Sequence, residues 1–242
     1  MKATLSKIAC GAALSLGLMS AASAESIVAY TAVLPPYTLG ADREKPGISH
    51  ELLVEMADRA GIDIQIEYLP WGRAQETVKS TPGTLLFTAT RNATREDQYG
   101  WVALMIQVEE VFVTVGPRIE NMTEASALAN VLVLANTPRS RRLADAGLSN
   151  VRDVTDVEQA AKMLNGGRVD AWYTLNQRAA AAFVEAGLDP SRLVFGAPVK
   201  QSKNWLASNP EFDQEVAAKL AQALEAMRSD GTYDAILKRY LG

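Results

Sequence analysis

The amino-acid sequence predicts an α/β protein of two lobes, each a mostly parallel sheet flanked by helices, with two chain crossings between them. Two observations carry this. A strand–helix–strand–helix–strand order runs through residues 27–90 and recurs, without residue-level identity, through residues 131–195; such alternation marks a parallel sheet covered by helices. No low-complexity stretch separates the halves, so the joins are expected to be strands near residues 112–116 and 196–199.

The elements follow from local pattern. Residues 27–30 are short and apolar, as a buried strand requires, and Pro35-Pro36 breaks the run because proline cannot donate to a ladder. Leu52, Leu53, Met56, Ala57 and Ala60 recur at helical spacing, with Gly61 placed to end the helix. Ile62, Ile64, Ile66 and Tyr68 alternate with polar residues, a period-two strand ended by Pro70-Trp71. A short helix to about Ser80 and a strand over 84–90 complete the first unit. The second has strands at 131–135, 151–154, 169–173 and 193–195, with helices at 138–146, 157–164 and 176–186. Asn209-Pro210 reads as the start of a long helix, since proline at the first position loses no hydrogen bond. Val216, Leu220, Leu224 and Met227 form its apolar face, Gly231 ends it, and a last helix carries Tyr233, Ile236, Leu237 and Tyr240. The helical tail is expected to pack on an earlier lobe. The expected division is 25–113 with 198–242 as lobe one and 114–197 as lobe two.

Residues 1–24 read as a cleavable signal peptide. Lys2 and Lys7 precede an apolar stretch over residues 8–19, and Ala22-Ser23-Ala24 fits a cleavage site. Export to the periplasm is therefore expected. Beyond the leader there is no cysteine, since Cys10 is the only one, and His50 is the only histidine. This argues against disulfides, the usual zinc clusters and Cys/His nucleophile pairs, so no metal, cofactor or catalytic residue is assigned. Removing Lys2 and Lys7 from the 24 basic side chains leaves 22 against 28 acidic ones, a net charge of −6. Nucleic acid, which wants a basic face, is not an expected partner of so acidic a chain.

The run LFTATRNATRED, residues 86–97, carries the most chemistry. A strand that ends in Thr88 and Thr90 and then offers Arg91 and Arg95 suits a small carboxylate, because a guanidinium matches it as a two-pronged donor and the hydroxyls complete the contact.

The order and spacing of several motifs resemble the bacterial extracellular solute-binding proteins of family 3, the periplasmic two-lobe "Venus flytrap" group that includes polar amino-acid-binding proteins. The resemblance covers residues 25–242. It rests on LPPYTL (34–39), PGISHELL (46–53), PWGRA (70–74), TATRNATRED (88–97), LNGGRVDAW (164–172) and SDGTYDAILKRY (229–240). It implies a cleft whose solute carboxylate is held by Arg95, with Thr88 and Thr90 on the same wall. Surface pairing of Arg95 with Glu96 or Asp97 is the alternative. Arg91 is a second anion contact or a solvated side chain. Trp71 and Tyr37 are aromatic contacts for the solute, or caps over a strand edge. Arg73 more simply covers a helix. In lobe two, Asn136-Thr137 opens a helix whose first N–H groups attract anions, or is an ordinary N-cap. Asn176, beside Thr174, lies at the far wall.

Two departures from the family pattern concern the ligand. Pro138 stands where a threonine commonly binds the solute carboxylate, and Leu175 stands where amino-acid binders place the acid that holds the ammonium group. Asp170, nearby, reads as structural. A carboxylate lacking an α-ammonium is thus as reasonable a ligand as an amino acid. Arg139, Arg141 and Arg142 read as a solvated basic face, with docking to a permease as the lesser alternative. His50 is expected at the cleft rim or capping a helix.

The expected function is capture of a small carboxylate-bearing solute, an amino acid or related organic acid, for delivery to a membrane importer. The expected partners are that solute and a membrane permease or receptor, and the chain is expected to act as a monomer. The alternatives are a cyclohexadienyl or arogenate dehydratase on the same fold and an extracellular sensor input. The sequence leaves open the ligand's identity, transport versus sensing, and an open or closed resting state.

Overall fold

A computed structural model describes residues 26–241; the expected signal peptide, with Cys10, lies outside the described residues. The strands are β1 (Ile27–Thr31), β2 (Ile64–Tyr68), β3 (Leu85–Thr90), β4 (Gly100–Thr114), β5 (Val131–Leu134), β6 (Val151–Val154), β7 (Ala171–Leu175), β8 (Val194–Phe195) and β9 (Lys200–Ser208). The helices are α1 (Ile48–Ala60), α2 (Trp71–Ser80), α3 (Met122–Ser126), α4 (Pro138–Asp145), α5 (Val157–Asn165), α6 (Asn176–Glu185), α7 (Gln214–Asp230) and α8 (Thr232–Leu241).

The main path of the sheet runs β2-β1-β3-β9-β4-β7-β5-β6. β1 pairs in parallel with β2 and β3, and β5 in parallel with β6 and β7. The two repeated units are therefore parallel, as the alternation implies. Between them lie two long antiparallel strands, β4 and β9; the expected join at 112–116 falls at the end of β4, and the one at 196–199 falls in the segment just before β9. Bulges in β4, at Trp101/Ala103 and Leu104/Ile106, break the period-two alternation that reveals a strand. Glu110 belongs to both ladders: it faces Lys200 on β9 and Leu175 on β7.

Two other boundaries differ from expectation. Asp170 precedes β7, because its carboxylate accepts from Asn130 N (2.8 Å) while its own N–H donates to Asn130 O (3.0 Å). Likewise Asn209 anchors a turn, donating to Val78 O at 2.8 Å, and α7 starts only at Gln214, where Asp213 accepts from Glu215 N and Val216 N.

Lobe one packs Leu52, Leu53 and Met56 of α1 against Phe87 of β3 and Leu220, Leu224 and Met227 of α7, so the helical tail does cover the first lobe. In the second repeated unit, Tyr173 stacks at 4.7 Å on Phe112 of β4 beside Val131, Val133 and Leu143. A further apolar cluster holds Leu34 and Trp71 with Leu134 and Trp172, so the lobes touch. Polar links reinforce the contact: Tyr37 Oη donates to Gln177 Oε1 (2.9 Å) and Arg43 pairs with Glu185 (2.9 Å).

The loop carrying Tyr37 is fixed by α1. That helix has no side-chain cap; its first donors reach back, Ile48 N to Pro36 O (3.0 Å) and Ser49 N to Tyr37 O (2.8 Å). Such closeness requires Gly47, whose φ is 115° and where a Cβ would lie 2.5 Å from Tyr37 O. Gly47→Ala is expected to cost about 1–3 kcal/mol in urea unfolding, the range for forced backbone strain. An unchanged midpoint would show that the loop yields freely.

Candidate functional site

The residues of the TATRNATRED motif come together at the seam between the lobes. β3 skips a ladder pairing between Phe87 and Ala89, and Thr88 and Thr90 line a small cavity with Arg95. Arg95 sits in a 3₁₀ turn (Ala93–Gln98) after β3 and is 8% exposed, so the surface-pair alternative is not what forms. Its guanidinium donates to Thr90 O (3.4 Å), to Gln75 Oε1 and, across the seam, to Asn136 O (3.2 Å). Among the described residues no carboxylate lies within 4 Å of its guanidinium. Burial therefore pulls its pKa down to about 10; Tyr99 opposes the shift, and Arg139 and Arg141 add to it.

Trp71, the first residue of α2, and Leu34 supply apolar wall from lobe one, and Leu134, Thr137 and Pro138 close the cavity from lobe two. Thr137 caps α4: its hydroxyl accepts from Ser140 N (3.4 Å) and donates to Leu134 O (2.7 Å). Thr90 donates to Asn204 Oδ1 at 3.0 Å, while Thr88 Oγ1 and Asn204 Nδ2 have no partner.

Four expected contacts do not line the inner cavity. Tyr37 is fully buried but stands behind the cavity wall, its ring 5.7 Å from the Arg178 guanidinium. Asn136 offers its backbone carbonyl, not its side chain, to Arg95 and Gln75. Arg91 pairs with Glu96 and rests on Trp101 and Trp205, 5.4 and 4.8 Å from their ring centres, so its charge is spent outside the cavity. Asn176 donates to Glu109 Oε2 at 3.2 Å and does not line the cavity. His50 bonds Tyr68 Oη at 2.8 Å, away from the cavity.

Two residues that the sequence reading missed face the cavity: Arg139 and Arg178, 3% and 2% exposed. They occupy the first turns of α4 and α6. A cation is poorly placed there, because the partial positive charge of a helix N-terminus repels it. Each has two guanidinium nitrogens, Nε and Nη1, without a hydrogen-bond partner. Burial pulls the Arg178 pKa down to about 9, with Arg139 adding to the shift and Tyr37 opposing it. Arg139 is likewise lowered, burial outweighing Glu110. The signal was periodicity: Arg139 and Arg178 precede the buried Leu143 and Ala182 by one helical turn, hence share their inward faces. The expectation of a solvated arginine face holds for Arg141 alone. Arg142 donates to Glu110 Oε2 at 3.0 Å.

Glu110 is the only acid fully buried among the described residues. It accepts from Tyr173 Oη (2.7 Å), Arg142 Nε (3.0 Å) and Ser202 Oγ, and Arg139 Nη1 lies 3.8 Å away. Burial raises its pKa, but Arg139, Ser202, Tyr173 and Arg142 together hold it below the usual carboxylate range. The crossing point is thus tied to the helix that carries Arg139.

The inner cavity holds about 10 Å³, room for about one water. Arg95, Thr137 and Pro138 also face an outer groove of about 830 Å³ that runs along the seam. The arrangement is a closed cleft whose inner wall is cationic and apolar. Among the described residues no group of three or more His, Cys, Asp or Glu could hold a metal ion, and no helix is long and apolar enough to cross a membrane.

The sequence pattern of the bacterial extracellular solute-binding proteins, family 3, matches residues 27–242. The chain belongs to that family. Its members are mainly non-enzymatic binders of solutes. The chain is similar to the L-cystine-binding protein TcyA of Bacillus subtilis (strain 168), 23% identical over 196 residues that cover 81% of this chain and 72% of TcyA. A histidine kinase sensor domain similar to periplasmic binding proteins superposes with a TM-score of 0.80 at 19% identity, covering 90% of this chain and 96% of the other. The arginine-, lysine-, histidine-binding protein ArtJ of Geobacillus stearothermophilus superposes at 0.76 and 19% identity, covering 90% and 95%. The two-lobe fold of the family is the one described here.

The buried carboxylate gives a test. With its folded pKa below the unfolded value, Glu110 contributes stability above about pH 4.5 that is lost as pH falls through the folded value. Urea unfolding of Glu110→Gln at pH 7 should show a loss of about 3–5 kcal/mol, the usual cost of breaking a buried pair. The fall in stability from pH 5 to pH 3 should be smaller than in the parent. An identical acid profile would show that other carboxylates set it.

Proposed function

We propose that this chain is a periplasmic binding protein that captures a small carboxylate-bearing solute between its lobes and hands it to a membrane importer. Arg95 carries the reading: a buried guanidinium with no carboxylate partner, flanked by Thr88 and Thr90, touching both lobes at the seam. A solute carboxylate would replace Gln75 and Asn136 O as its acceptors and be bound better in the charge-assisted pairing. Trp71 would give the carbon skeleton apolar area, and Thr137 would close over it. The relatives named for cystine and for basic amino acids support a carboxylate-bearing guest.

The lobes follow as 25–113 with 198–242 and as 114–197, pivoting where β4 trades β9 for β7 near Glu110. A cavity of 10 Å³ cannot hold a metabolite, so the lobes must part to admit one and close again around it. The solute favours closure because it binds that state better. The chain acts as a monomer in this scheme and docks on a permease. We assign it no catalysis, as the family's members are mainly non-enzymatic; Glu76, Asp145 and Asp153 line the outer groove and not the inner cavity. Pull-down from membranes separates an importer from a sensor receptor as the partner.

A solute present at a thousand times its Kd should raise stability by about 4 kcal/mol. Arg95→Ala should abolish that ligand-dependent thermal shift while leaving the ligand-free melting temperature within a few degrees of the parent. Calorimetric titration against amino acids and small organic acids is the direct test; millimolar or weaker binding throughout would overturn the reading.

A further inference from the structure

We propose that the solute is a small dicarboxylate without an ammonium group, one carboxylate meeting Arg95 and the other Arg178 with Arg139. The inference rests on the reading of the cleft as a solute site and specifies its guest. It follows from a charge count. Arg95, Arg139 and Arg178 converge on one cavity, and only Arg139 has an acid within 4 Å, Glu110 at 3.8 Å. Glu110 is already engaged by Arg142, Tyr173 and Ser202. Two buried guanidiniums thus remain without a counter-charge, and a guest with two negative groups balances them.

The donors point the same way. Arg139 and Arg178 each keep two N–H-bearing nitrogens unpaired, and Thr88 Oγ1 and Asn204 Nδ2 add polar atoms without partners on the opposite wall. An ammonium group finds nothing comparable. No carboxylate lines the inner cavity, since Glu76, Asp145 and Asp153 line only the outer groove, and Leu175 is fully buried in an apolar cluster. An α-amino acid would add a third unbalanced cation to a cationic site. The apolar walls, Leu34, Trp71 and Leu134, match a carbon skeleton between the two carboxylates and leave a compact inorganic anion poorly covered. Arg178 comes from α6 and Arg95 from the turn after β3, so the two anionic ends bridge the lobes and draw them closed.

The test uses the chain from Glu25 onward and isothermal titration with succinate, its half-amide succinamate, glutamate, arginine and sulfate. Succinate should bind about tenfold or more tightly than succinamate, the worth of one charge-assisted pairing, and more tightly than either amino acid. Arg178→Met, checked for folding by circular dichroism, should erase the preference of succinate over succinamate, and Arg178→Lys should restore part of it. Equal affinity for succinate and succinamate, or for succinate and sulfate, overturns the dicarboxylate assignment. So does tighter binding of glutamate or arginine, in which case the solute-binding reading stands. If none of the five binds and a wider set of carboxylates also fails, both readings fall together. Should Arg178→Met not fold, the comparison of succinate with succinamate on the parent chain still decides.

Discussion

The structure depends on an imbalance of charge at the seam. Three guanidiniums are withdrawn from water around one small cavity, and one buried carboxylate stands near them. Taking an ion out of water costs several kcal/mol unless a partner repays it in the interior. A protein that holds Arg95 and Arg178 buried without such a partner keeps stability in reserve that an anion can restore. The same imbalance explains the lowered pKa values of Arg95 and Arg178, which remain charged at neutral pH and so keep their pull on an acid.

Glu110 makes this charge compatible with a folded chain. It sits at the single position shared by the β4–β9 and β4–β7 ladders. Through Arg142 and Arg139 it holds α4, and α4 presents Pro138 and Arg139 to the cavity. The crossing strand and one wall of the cleft are therefore coupled through a buried carboxylate that accepts from Arg142, Tyr173 and Ser202.

Two short steps along the chain bring cations to the cavity. Pro138 opens α4 without an N–H, and the next residue, Arg139, supplies several donors. Leu175 ends β7 without charge, and Arg178, three residues on, brings a cation to the cavity wall. Tyr37 supports this from behind: its ring faces the Arg178 guanidinium, while its backbone carbonyl is held by the first turn of α1.

The repeated alternation, the alternating strand at Ile62–Tyr68, the glycine stops and the polar run after Thr90 were legible in the sequence, since they rest on local periodicity and turn chemistry. So was Arg95, because a strand end that turns into a polar loop offers its residues to a cleft. The long crossing strands were not, since bulges scramble their alternation and their pairing partners lie about a hundred residues away. Nor were Arg91 and Asn176 separable from true cavity residues: whether Arg91 meets Glu96 and Trp205 or a solute depends on contacts between segments. Helical spacing placed Arg139 and Arg178 on the faces of Leu143 and Ala182, but not what those faces meet. The docking of α4 and α6 against the seam decides that, and the resulting lack of a counter-charge is a property of the tertiary structure that a one-dimensional pattern does not contain.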